Sequence, residues 1–287
     1  MHISLDCIPC IVTSYRRLLA AGMVPVEKHE PGMRRLLSYL AEADYRQSPP
    51  VLARDLHRMI RRDLDDPDPY AGLKERSNRM MLDRLPEFTA AVTYSADPFD
   101  TAMRLAIAGN AIDFGPENQL DVAEMITRAL EQPLAIDDSA LLRRDLAAAG
   151  KVLYIGDNCG EIVLDRLFLE QITGVERYFA VRGGPIINDA TIEDARALKI
   201  DEIARVITTG DDAPGAVPEA ASDEFREICE SADVIIAKGQ GNLEGLLDSE
   251  LNIYFLLITK CDLIARRVGT RRGELVAVSA RNLPPAS

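Results

Sequence analysis

KVLYIGDNCGEIVLDR, residues 151–166, decides how the rest of the chain reads. A short apolar, β-prone run at 152–155 breaks at Gly156, and Asp157 and Asn158 follow. From Gly160-Glu161 onward Ile162, Val163, Leu164, Leu167 and Phe168 recur at helical spacing. A strand that turns straight into a helix places two oxygen-bearing side chains at its carboxyl tip, where open α/β sheets hold their ligands. The helix start adds backbone N–H groups and the positive end of a dipole, which suits an anion. Carboxylate and amide oxygens beside an anion point to a hard divalent cation holding a phosphate. The plainer alternative is that Asp157 or Asn158 caps the helix.

Working outward, apolar runs at 178–181, 206–208, 234–237 and 254–258 alternate with helical patterns at 162–172, 191–198, 218–229 and 243–247. That β-α-β series implies a mainly parallel sheet with helices on both faces, and a last strand at 275–278 is expected at an edge. Upstream the chain reads as helix after helix. Ile11, Tyr15, Leu18 and Leu19 share one face, and so do Met33, Leu36, Leu37 and Leu40. Pro25, Pro31, Pro49-Pro50 and the acidic, proline-containing run 65–69 separate the helices, and Pro98 is expected to open another. The expected fold is α/β: a helical N-terminal domain over 1–148 packed on a Rossmann-like α/β domain over 149–287.

Composition removes several classes of function. With 287 residues and a net charge of −13, the chain is a poor general binder of nucleic-acid backbone. No Trp and 5% aromatics argue against base-stacking platforms. No apolar run reaches 18 residues, so no membrane span is expected. Asp6 before the first apolar stretch and Arg16-Arg17 after it do not match a signal peptide, and a cytoplasmic protein is expected. Five cysteines do not suggest a disulfide scaffold.

Polar residues gather after each expected strand. Arg182 and then Asn188-Asp189-Ala-Thr191 and Asp194 follow the second, Asp211-Asp212 the third, Lys238-Gly-Gln-Gly-Asn242 the fourth, and Lys260-Cys261 the fifth. Each alone is an ordinary solvated turn, but a parallel sheet brings the tips side by side. Asp157-Asn158 and Asn188-Asp189 offer oxygen ligands suited to Mg²⁺, Mn²⁺ or a similar ion that keeps water and substrate in its shell. Lys238, Lys260 and Arg182 offer charge for a phosphate. Thr191 and Asp194 can also serve as a helix start that orients Asp189. Asn110 and Asp113 interrupt a small-residue helix; they either end it or, if it borders the cleft, contact substrate. Cys7-Ile-Pro-Cys10 lies in the helical half, away from the strand-to-helix turn that thioredoxin-like chemistry uses. With Cys261 it reads as a thiol cluster or a second metal site, or as separate thiols.

Taken in order, Asp157-Asn158-Cys-Gly160-Glu161, Arg182 with Asn188-Asp189-Ala-Thr191, Lys238-Gly-Gln-Gly-Asn242, Gly109-Asn110 with Asp113, and Lys260-Cys261 resemble the domain-of-unknown-function-89 family. These are metal-dependent damage-control phosphatases, and the likeness is to the prokaryotic branch with an N-terminal CxxC. The resemblance runs from Cys7 to about Val268. It implies hydrolysis of phosphomonoesters on small damaged or side-product metabolites such as sugar phosphates, nucleotides or cofactor precursors. It implies Asp157, Asn158 and Asp189 as metal ligands, with Mg²⁺, Mn²⁺, Co²⁺ or Ni²⁺ as candidate ions, and Lys260 as the phosphate-contacting lysine. Glu161, Lys238, Asn110 and Asp113 are implied to line the substrate site, where the reading of the residues also places Arg182 and Asn188. Two alternatives stand beside it: a Rossmann-type nucleotide- or cofactor-binding protein or methyltransferase, and a non-enzymatic thiol or metal-binding module on Cys7, Cys10 and Cys261. The spacing from Gly156 to Gly160 does not match G-x-G-x-x-G, which weighs against the first.

Overall fold

A computed structural model describes residues 1–110 and 122–284. Helices α1 (Cys7–Ala20), α2 (His29–Glu42), α3 (Pro49–Leu64), α4 (Ala71–Asp83), α5 (Leu85–Thr93), α6 (Pro98–Gly109) and α7 (Val122–Glu131) precede the sheet. Then come β1 (Ile136–Asp137), α8 (Ser139–Ala148), β2 (Lys151–Ile155), α9 (Glu161–Glu170), β3 (Glu176–Val181), α10 (Ile192–Ala197) and β4 (Arg205–Thr208). The chain closes with α11 (Asp223–Ser231), β5 (Val234–Lys238), α12 (Gly239–Leu246), β6 (Ile253–Ile258), α13 (Asp262–Val268) and β7 (Leu275–Ser279).

The seven strands lie in the order β1-β7-β6-β5-β2-β3-β4. The run from β6 to β4 is parallel throughout, and β7 is antiparallel to β6. Chain order reverses between β2 and β5, so the crevice outside their carboxyl ends is the switch point at which such sheets bind ligands. Both strands are buried on both faces, which is why they read as unbroken apolar runs. Val152 and Tyr154 face one core, which includes Leu105, Leu142 and Phe168; Leu153 and Ile155 face the other, with Phe225, Leu243 and Ile264.

The helices before the sheet divide by what they pack on. Helices α1 to α3 enclose a small core of their own around Tyr15, Leu36, Leu40, Leu52, Leu56 and Ile60. Phe88 of α5, Ala102 and Ala106 of α6, and Ala129 of α7 instead join the core of the sheet. Helix α6 starts at Pro98 as expected, with Asp97 accepting the Asp100 N–H at 3.1 Å.

Three expectations differ from what is observed, the first being that α12 begins at Gly239 rather than near residue 243. Strand β7 is not the edge, because Ile136 and Asp137 pair parallel to it on the outside; two residues of strand are too few to register as a periodic pattern. Helix α11 begins at Asp223 rather than near Pro218. The Ser222 hydroxyl accepts the Phe225 N–H at 3.2 Å while its own N–H is held by Thr209 O at 2.9 Å, so the chain turns there first. Among the described residues no helix is long and apolar enough to cross a membrane.

Candidate active site

Four strand tips meet at the switch point. The turn after β2 presents Asp157 and Asn158, and Glu161 opens α9. The turn after β3 presents Arg182 and, seven residues on, Asp189. Backbone bonds stitch these two turns together: Ala190 N–H donates to Asp157 O at 2.8 Å, Cys159 N–H donates to Asn188 O at 2.8 Å, and Asn158 and Asp189 form an isolated antiparallel bridge. Asp189 N–H closes a tight turn onto Ile186 O at 3.0 Å, with Ile187 inside it at φ +43°. Such a conformation is unfavourable for a β-branched side chain and is the kind of strain that persists where surrounding contacts impose it.

Arg182, 1% exposed, lies between the two carboxylates. Its Nε donates to Asp189 Oδ2 at 2.6 Å, Nη2 to Asp157 Oδ1 at 3.0 Å, and Nη1 to Asn242 Oδ1 at 2.9 Å. Asn242, on α12, has its other bonds committed to Ala216 N–H at 2.9 Å, Gly156 O at 3.1 Å and Lys238 O at 2.6 Å. Asp157 Oδ2 in turn accepts from Asn158 Nδ2 at 2.8 Å and Asn110 Nδ2 at 3.0 Å. At Gly239, where φ is +76°, a Cβ would stand 2.0 Å from that same oxygen. Only glycine lets α12 start this close to Asp157.

Lys238 forms the second buried centre. Its Nζ donates to Glu161 Oε1 at 2.5 Å, Asp165 Oδ1 at 2.7 Å and Ala106 O at 2.8 Å, which uses all three protons. Ala106 O is available because the chain turns at the end of α6, where Asn110 N–H bonds Ile107 O instead. The lysine therefore also meets the negative end of that helix. Close approach of α6 to α9 depends on small residues; a Cβ on Gly109 would reach Leu164 Cδ1 at 3.0 Å. Asp165 Oδ1 accepts Tyr154 O–H at 2.8 Å, while Oδ2 is buried with no partner among the described residues.

Titration follows from these surroundings. Burial pushes Asp189 up to about 7; Arg182 opposes this and the charge of Asp157 adds to it. Asp157 is raised by burial and by Glu161, against Arg182, Lys260 and Lys238. Asp165 is pushed to about 7 by burial, with Lys238 opposing and Glu161 adding. Burial alone would raise Glu161 too, but Lys238 and the amides of Asn158 and Asn110 hold it below the usual range. Burial works against the charge of Lys238, and Asp165 and Glu161 more than offset it.

Lys260 differs. It is exposed, its backbone N–H donates to Gln240 Oε1 at 2.9 Å, and among the described residues its ammonium forms no ion pair, although its charge acts on both Asp157 and Asp189.

The structure thus brings together Asp157, Asn158, Glu161, Arg182, Asp189, Lys238 and Asn110, with Asn188 joined through its backbone carbonyl. Asp113 lies outside the described residues. The cysteines are all free thiols. Cys7, raised to about 11 by burial, and Cys10 both feel the charges of Cys261 and Glu244. Among the described residues no three His, Cys, Asp or Glu side chains are gathered as a metal cluster. Two N–H groups leading into α9 are taken by protein: Cys159 N–H goes to Asn188 O, and Gly160 N–H goes to Asn78 Oδ1 at 2.6 Å. Asp165 is a site residue that sequence reasoning passed over. A signal was present, since a carboxylate four residues after Glu161 on an apolar helix shares its face. Asn78 carried no such signal.

The profile described as the damage-control phosphatase ARMT1-like domain matches residues 3–276. The chain is 40% identical over 234 residues to a damage-control phosphatase of Archaeoglobus fulgidus, covering 79% of this chain and 81% of that protein. It is 34% identical over 289 residues to a damage-control phosphatase of Pyrococcus horikoshii, covering 97% and 98%. A crystal structure of a DUF89 family protein from Pyrococcus horikoshii superimposes with a TM-score of 0.90 at 31% identity, covering 98% of this chain and 99% of that one.

Proposed function

Because the chain belongs to the damage-control phosphatase ARMT1-like family, we propose that it hydrolyses phosphomonoesters of small damaged or side-product metabolites with a divalent cation held by Asp157, Asn158 and Asp189. The chain is a phosphatase; the ligand set, the ion and the substrate class are the proposal. The observation that carries it is a charge imbalance. Asp157 and Asp189 after the strands and Glu161 and Asp165 on α9 are four buried carboxyls, faced by two buried cations, Arg182 and Lys238. Burial raises Asp165 and Asp189 to about 7, so without further positive charge these carboxyls are prone to hold protons near neutral pH. A divalent cation would replace those protons. The donor set fits: carboxylate and carboxamide oxygens suit Mg²⁺ or Mn²⁺, and Co²⁺ or Ni²⁺ would also be accepted. Asn158 would have to turn its Oδ1 rather than its Nδ2 toward the ion.

The bound ion would polarise a phosphoryl oxygen and offset charge on the leaving group. Arg182 and Lys238 serve the carboxylates rather than the substrate, since every donor of Lys238 is used and Arg182 spans Asp157, Asp189 and Asn242. Lys260 is the cation left to stabilise the equatorial oxygens of the transferring group. Asp157 Oδ1 is held by Arg182 and Oδ2 by Asn110, and as a ligand it would also face the ion, so a water is the nucleophile of this reading rather than Asp157 itself. Glu161 has both oxygens occupied and acts as a holder of Asn158, Asn110 and Lys238. An attacking water in line needs positioning more than a strong base.

The test is release of inorganic phosphate from a panel of sugar phosphates, nucleotides and cofactor precursors, with chelator and with each ion added back. Chelation should abolish release, and Asp189→Ala should lower it roughly 100-fold or more. Release that survives both treatments would overturn the cation reading.

A further inference from the structure

We infer that Asn78, on α4, is a positioning residue that locks the two ligand-bearing turns together; the inference rests on the cation reading above. Asn78 is buried and far from the sheet in sequence, yet its carboxamide touches the first turn directly and reaches the second through Asp194. Its Oδ1 accepts the Gly160 N–H at 2.6 Å, and its Nδ2 donates to Asp194 Oδ1 at 3.1 Å. Gly160 follows Asn158 by two residues, stands at φ +80° and leads into α9. Asp194 Oδ2 accepts both the N–H and the hydroxyl of Thr191 at 2.9 Å, and Thr191 follows Asp189 by two residues. Lys74, one turn before Asn78 and itself buried, holds Asp194 Oδ2 at 3.1 Å. One amide is therefore one bond from the Asp157-Asn158 turn and, through Asp194 and Thr191, two bonds from the Asp189 turn.

Two consequences follow from the chemistry of that contact. The Gly160 N–H has no partner within its own helix, so without Asn78 it is a buried donor left unpaired. With Asn78 in place the Gly160 N–H is satisfied by protein and the turn into α9 is fixed. The backbone bonds between the two turns set their mutual spacing. Asn78 and Lys74 set where the joined pair sits against the helices.

Mn²⁺ titrated onto the metal-stripped full chain, read by the electron paramagnetic resonance signal of free Mn²⁺, tests this without reference to turnover. Asn78→Ala, folded by circular dichroism, should bind Mn²⁺ about 10- to 100-fold more weakly than the wild type. Asn78→Asp keeps the acceptor for Gly160 and should show a smaller loss. At saturating Mn²⁺ the KM for p-nitrophenyl phosphate should stay within about twofold in both, since Asn78 does not touch substrate. Wild-type Mn²⁺ affinity in folded Asn78→Ala would overturn the inference. Should that variant fail to fold, wild-type affinity in Asn78→Asp and in Lys74→Met would do the same. Asp189→Ala separates the two readings. Loss of Mn²⁺ there with none at Asn78 sinks only the positioning role, and retention in Asp189→Ala sinks the cation reading itself.

Discussion

The tips of β5 and β6 are neighbours in the sheet, and each carries a lysine, Lys238 as the last residue of β5 and Lys260 two residues past β6, yet the two regions are opposites. At the β5 tip Lys238 is 0% exposed and surrounded by Glu161, Asp165 and the last turn of α6. At the β6 tip Lys260 is exposed and, among the described residues, unpaired. The carboxylates that separate them come from α9, a helix that follows neither strand. A lysine near a strand end is thus buried in ion pairs or left exposed according to what packs against it.

The sharpest way to break the comparison is Lys238→Met. It leaves Glu161 and Asp165 buried without their cation, and urea unfolding should show a loss of about 3–5 kcal/mol if the chain folds at all. A variant of wild-type stability would mean that the β5 tip is not the structural one. Lys260→Ala is the counterpart. It should lower kcat/KM about 100-fold while the unfolding free energy moves by less than about 0.5 kcal/mol. Full activity, or a large drop in stability, would erase the distinction between the two tips.

The smallest effect concerns pH. Asp165 has its pKa raised from 3.8 to about 7. A carboxyl raised on folding adds stability that is fully present below the unfolded value near 4 and is lost as pH climbs through 7. The metal-free protein should therefore melt at lower temperature at pH 8 than at pH 5. Asp165→Asn should flatten that fall by roughly 2–4 °C, with Asp189 and Glu244, also raised to about 7, supplying the remainder. An unchanged slope would show that Asp165 stays ionised beside Lys238 across the whole range.

Legibility from sequence followed the range of the interactions. The central strands were readable because burial on both faces leaves an unbroken apolar run, as at Val152 to Ile155 and Ile253 to Ile258. Asp157, Asn158 and Asp189 were readable because a strand tip is a local feature. The substrate-facing role expected of Arg182 and Lys238 was not decided by their position, since each carries charge toward whatever packs against it. Strand β1 was missed because two residues carry no period, and Asn78 because its partners Gly160 and Asp194 lie 82 and 116 residues away.

By itself the sequence determined an α/β chain with a parallel sheet, the polar clusters at its strand tips and, through their order, the phosphatase family. Periodicity and tip chemistry are properties of short segments, so they survive without a fold. Tertiary structure alone decided which cation is buried and which is free. It also decided that the Gly160 N–H before α9 is held by Asn78 and that four buried carboxyls face two buried cations. Those outcomes depend on distances between segments that no spacing along the chain encodes, and in a low-dielectric interior such distances set the charge state of every group in the site.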